Sequence, residues 1–151
     1  MGSMGKWAVL VAEQQGDWDG WVEPLRESAD DVVVVLQRRG ESPAELATRV
    51  RERVQELREE GGVAAAALVG GATCDDATLS ARALMLRAIV TQMVEGGGGR
   101  VYLDSGVRAG RARHAMAALA AVVEDQVAQT GVDLVTAQGA PAALVGLRRA
   151  A

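Results

Sequence analysis

With 151 residues, 49% of them hydrophobic, the chain is long enough to bury one core without disulfides or metal. A net charge of -4 and a pI near 5.0 oppose the basic stripe that phosphate backbones require, which excludes nucleic acid as an expected partner. No apolar run approaches the ~20 residues of a membrane span, and the one cysteine, Cys74, has no internal partner, so a soluble cytoplasmic protein is expected.

Met1-Gly2-Ser3 ahead of Met4 reads as an added leader, which leaves a single domain over 4–151. Abundant alanine, and arginine in preference to lysine, are what a GC-rich bacterial genome produces. The first strand is expected from Lys6 to Ala12. Trp18, Trp21, Val22 and Leu25 then fall at helical spacing, and Pro24 suits only a first turn, so the first helix is short or starts late. Val32 to Leu36 is an unbroken β-branched run, which predicts a strand covered on both faces.

Ser42-Pro43-Ala44-Glu45 announces a helix: Ser42 caps, Pro43 fits the first helical position and Glu45 returns a hydrogen bond to the cap. Leu46, Val50, Val54 and Leu57 share one face, and Gly61-Gly62 ends the segment. Val63 to Val69 is bracketed by glycine pairs and is read as a central strand. The following helix, Asp76 to Glu95, is apolar over more than half its circumference, with a narrow polar stripe at Ser80, Arg87, Thr91 and Glu95. Such a helix buries more than one face, against a neighbouring element or a second subunit. Gly96 to Gly99 ends it, a strand follows from Arg100 to Asp104, an alanine-rich helix runs from about Arg111 to Thr130, and Val132 to Thr136 forms the fifth strand.

This alternation predicts a three-layer α/β/α, doubly wound, mainly parallel five-stranded sheet, flavodoxin-like or Rossmann-like. Two strand orders are open, 2-1-3-4-5 and 3-2-1-4-5, and both place the ligand crevice beside the carboxyl end of strand one. They differ in whether its partner is the Gly70 loop or the Asp104 loop. The candidate ligand-binding residues are therefore Gln14, Asp17, Gly70, Gly71, Thr73, Asp104, Ser105, Gly106, Arg108 and Arg111.

Each has a simpler structural role. Gly70-Gly71-Ala72-Thr73 can cradle an anion with its amides, but Thr73 or Asp75 can equally cap the next helix, and the stretch matches no glycine-rich nucleotide pattern. Arg108, Arg111 and Arg113 crowd a helix N-terminus, where cations are disfavoured unless an anion joins them; pairing with Asp104 is the alternative. Cys74 is the candidate nucleophile, yet no pattern brings it to His114, the only histidine, and no catalytic residue is assigned. Asp17, Asp19, Asp75, Asp76 and Asp104 also suit turns and caps, so no metal is expected. Trp18 and Trp21 are expected to pin the first loop to a core that has no phenylalanine.

In length and element order the chain resembles universal stress domains, although Asp104-Ser105-Gly106-Val107-Arg108-Ala109-Gly110 does not carry their glycine-spaced nucleotide motif. Receiver domains need an acidic pair after strand one and a lysine after strand five. Here Glu13-Gln14 and Ala137-Gln138 stand in those places. The function expected from sequence is a non-catalytic binding or regulatory module, acting as a homodimer through the apolar third helix or the C-terminal segment. No cofactor is assigned. The alternative is a binder of a nucleotide, phosphometabolite or other small anion, and the third reading is a small enzyme using Cys74 or the rim carboxylates.

Overall fold

The computed structural model describes residues 6–13, 19–69, 76–104, 118, 121–126, 128 and 130–137. Five strands form one sheet: β1 (Trp7–Glu13), β2 (Asp31–Gln37), β3 (Val63–Leu68), β4 (Gly99–Asp104) and β5 (Val132–Ala137). Their order is β2-β1-β3-β4-β5 and every pairing is parallel. The architecture is thus α/β and Rossmann-like, and of the two orders open from sequence it adopts 2-1-3-4-5. A parallel pair needs a crossover, and each crossover described carries helix. A 3-10 turn (Asp19–Trp21) runs into the short α1 (Val22–Arg26), α2 (Pro43–Glu59) joins β2 to β3, and α3 (Asp76–Glu95) joins β3 to β4. Residues 121–126, between β4 and β5, are helical.

Side chains alternate across the sheet and divide the core in two. Val9, Val11, Ala66, Leu68, Val101 and Leu103 meet α2 and α3 on one face. Ala8, Leu10, Ala65, Ala67 and Tyr102 meet Trp21 and Leu25 on the other. The alanines make room for Trp21, which is fully buried with its ring 5.8 Å from that of Tyr102. A register shift between Trp7 and Ala8 gives β3 one extra residue, so Val63 faces the α2 side although Ala65, two residues on, faces the other.

Three expectations are refined. β2 is an edge strand, so its β-branched run is covered on both sides but incompletely: Val35 is buried while Val34 is exposed. The helix after β1 shrinks to five residues because Pro24 permits only a beginning. The four-glycine stretch is held in place: Gly96 and Gly98 donate to Gln92 and Met93 carbonyls at 3.0 and 2.8 Å, and Gly99 donates to Gly131 at 3.2 Å. That last bond draws Gly99 into β4. Gly98 (φ +131°) and Gly131 (φ +85°) approach so closely that a β-carbon on Gly98 would lie 2.5 Å from the Gly131 carbonyl oxygen.

Among the described residues no helix is long and apolar enough to cross a membrane.

Candidate functional site

In this strand order the connection leaving β1 runs outward to β2 and the one leaving β3 runs the other way to β4, and a crevice opens between the carboxyl ends of β1 and β3. The Val69 amide donates to the Val11 carbonyl at 2.9 Å, so the segments following β1 and β3 depart side by side. The strand beside β1 on this side is therefore β3, not β4. Asp104 ends β4, one strand further out, in register with Ala137 of β5. Gln14, Asp17, Gly70, Gly71, Thr73, Ser105, Gly106, Arg108 and Arg111 lie outside the described residues, as do Cys74, His114, Trp18 and Arg113.

The described wall of the crevice is the turn from β2 into α2. Gly40 supplies the positive φ of +79° that reverses the chain. Glu41 then gathers the turn. Its Oε1 accepts from the Arg38 amide at 2.9 Å and from Arg49 Nη2 at 2.8 Å, and its Oε2 accepts from Arg49 Nε at 2.6 Å. Arg49 Nη2 also donates to the Leu36 carbonyl at 2.6 Å, and Gln37 Nε2 donates to the Glu41 carbonyl at 2.9 Å. The Arg49 hydrogen bond holds the Glu41 carboxyl below its ordinary range, and Glu41 raises Arg49 in return. Immediately beyond, the expected capping box forms: Ser42 Oγ accepts from the Glu45 amide at 3.1 Å and Glu45 Oε1 accepts from the Ser42 amide at 3.3 Å.

Arg49 takes both carboxylate oxygens of Glu41, and Arg38 adds a longer-range attraction to the same carboxylate. Arg38 and Arg39 are exposed, and among the described residues neither guanidinium forms a salt bridge. A third cation approaches from α3. Arg82 is buried, with 8% of its surface exposed, and its Nη2 donates to the Val69 carbonyl at 2.9 Å, at the carboxyl end of β3. Arg82 and Gln37 share a small pocket of about 30 Å³ with Val11, Pro43 and Thr78. Sequence reasoning passed over Arg38, Arg39 and Arg82. The available signals were two arginines at a strand end and one arginine flanked by Ala81 and Ala83 in an apolar helix.

Among the described residues the titratable groups at the strand ends are carboxyls, Glu13 closing β1, Glu41 after β2 and Asp104 closing β4. The single lysine, Lys6, precedes β1 at the opposite edge of the sheet, and the single tyrosine, Tyr102, is buried against Trp21. No cluster of three or more metal-ligating side chains occurs among the described residues. The chemistry on view is anion recognition by guanidinium groups.

No protein-family model matches the sequence, and no curated protein is significantly similar to it. Solved structures are similar in fold. A short-chain dehydrogenase from Rhodopseudomonas palustris superposes with a TM-score of 0.60 at 15% identity, over 95% of this chain and 90% of that one. A protein described as a short-chain dehydrogenase/reductase from Burkholderia xenovorans gives 0.55 at 15% identity, over 99% and 78%. These likenesses correct the expectation of a non-catalytic binding or regulatory module. The chains sharing this architecture are named as dehydrogenases, so the fold is one that oxidoreductases use. The lack of a legible catalytic set in the sequence was no ground for setting catalysis aside.

Proposed function

We propose that this chain is an oxidoreductase domain that holds a phosphorylated nicotinamide dinucleotide across the crevice between β1 and β3. The supporting observation is the pair of exposed arginines at the end of β2, neither in a salt bridge among the described residues. In dinucleotide-binding sheets the end of the second strand meets the adenosine ribose: an acid there accepts hydrogen bonds from a free 2′-hydroxyl, and an arginine accommodates a 2′-phosphate. Here Gln37 is followed by Arg38 and Arg39, on a turn already fixed by Glu41 and Arg49.

The residues fit the adenosine end of such a cofactor. Arg38 and Arg39 hold the phosphate, and Arg82 fixes the carboxyl end of β3 through the Val69 carbonyl. Asp104, at the end of β4, stands one strand away from the crevice. When bound, the nicotinamide supplies a hydride donor or acceptor. A glycine-rich pyrophosphate loop is not written after β1, where Gly16 stands between Gln15 and Asp17, so the arginine pair carries the discrimination.

Titration with NADPH and NADH, followed by nicotinamide fluorescence or calorimetry, tests this reading. NADPH is expected to bind at least about tenfold more tightly than NADH, a difference of about 1.4 kcal/mol. Arg38→Ala with Arg39→Ala should abolish that preference and leave NADH affinity unchanged. Equal affinities in the unmodified chain would remove the phosphate assignment, and no binding of either at millimolar concentration would remove the nucleotide assignment.

A further inference from the structure

A second surface stands apart from the crevice. α2 and α3 lie side by side, and their outward edges enclose an open trough of about 500 Å³. Its lining is mostly polar, with Thr48, Gln55, Thr91 and Gln92 beside the charged residues; Leu84, at 59% exposure, is its main apolar contact surface, over a buried floor of Ala47 and Val54. One end is closed by an ion pair across the two helices, Arg58 Nη2 to Glu95 Oε2 at 3.2 Å. Arg51 on α2 and Arg87 on α3 flank the middle; both are exposed and neither forms a salt bridge among the described residues. In a chain of net charge -4, this trough carries two exposed arginines beyond its Arg58–Glu95 pair.

We infer that this trough docks an amphipathic helix of an acidic partner protein. From Ala44 to Arg58 it follows about four turns of α2, roughly 21 Å at 1.5 Å per residue, which is the length of a short recognition helix. Apolar anchors repeating every three and four residues meet Leu84 and Ala88, and flanking carboxylates meet Arg51 and Arg87. A second copy of this chain is a poorer occupant. Two-fold symmetry sets the same patch against itself, so the arginines of one copy face a surface that carries the same arginines. The C-terminal segment of the chain is poorer still, because Arg148 and Arg149 are its only charged residues after Asp133.

The test uses the whole chain and two labelled helical peptides of about four turns, with leucines repeating every three and four residues and either glutamate or lysine at the flanking positions. Fluorescence anisotropy is expected to show binding of the glutamate peptide alone, weakening with salt. Joint replacement Arg51→Glu and Arg87→Glu should weaken it by about tenfold or more and confer binding on the lysine peptide. Both positions are exposed, and circular dichroism checks that the variant is folded. Amide shifts on binding should map to Thr48, Gln55 and Thr91. The inference is overturned if neither peptide binds, if both bind equally, if the shifts map elsewhere, or if sedimentation shows self-association that Leu84→Asp abolishes.

Discussion

Arg49 grips both carboxylate oxygens of Glu41, at 2.6 and 2.8 Å, across eight positions of sequence, and so ties the turn after β2 to the body of α2. Glu41 is well shielded, with 7% of its side chain exposed, so losing either partner strands the other. Glu41→Gln or Arg49→Ala should cost about 1–3 kcal/mol in urea unfolding.

The same pair predicts a pH dependence. Glu41 has its folded pKa lowered from the ordinary 4.5, chiefly by the Arg49 hydrogen bond. Its stabilising contribution is therefore complete above that value and disappears as the pH falls through the lowered folded value. The stability gap between the unmodified chain and Glu41→Gln should stay constant from about pH 7 to about pH 5 and narrow below about pH 4. A gap that grows on acidification would contradict the geometry.

Trp21 is the bulkiest side chain of the α1 face, packed over alanines at positions 8, 65 and 67 beside Leu10, Leu25 and Tyr102. Trp21→Ala leaves a large void that alanines cannot close, with an expected loss of about 3–5 kcal/mol. Trp21→Phe keeps an aromatic ring beside Tyr102 and should lose about 1–2 kcal/mol. Denaturant titration followed by circular dichroism distinguishes the two.

The glycines after α3 should respond unequally to alanine. At Gly97 a β-carbon meets nothing within 4 Å, and only the positive φ of +98° opposes it, about 1–2 kcal/mol. At Gly99 it would lie 2.7 Å from the Ala64 carbonyl oxygen and 2.8 Å from Met93 Sδ, and at Gly98 it would strike Gly131. Gly98→Ala and Gly99→Ala should therefore lower the melting temperature well beyond Gly97→Ala. Equal effects at the three positions would mean that the close approaches are not rigid.

The elements were legible because each carries its own local chemistry. Ser42, Pro43 and Glu45 mark the start of α2 within a single turn of chain, and β3 is bracketed by glycines. The order 2-1-3-4-5 was not legible, since nothing in the periodicity of β1 says whether β3 or β4 lies beside it. The clasp of Glu41 by Arg49 depends on how α2 docks against β2, and no spacing rule joins those positions. Arg82 was hidden for a related reason: its cationic end reaches a carbonyl at the far end of the preceding strand, a partner that exists only once the crossover has closed.

The seating of β1 between β2 and β3 also governs when the chain can fold during synthesis. Trp7 pairs with Asp31 on one side but with Val63 on the other. Until Leu68 has left the ribosome, the hydrophobic middle strand presents an open edge to any other extended segment nearby. The nascent hairpin-free polypeptide is thus exposed to mispairing over nearly half its length, and chaperone demand should fall abruptly once the third strand emerges.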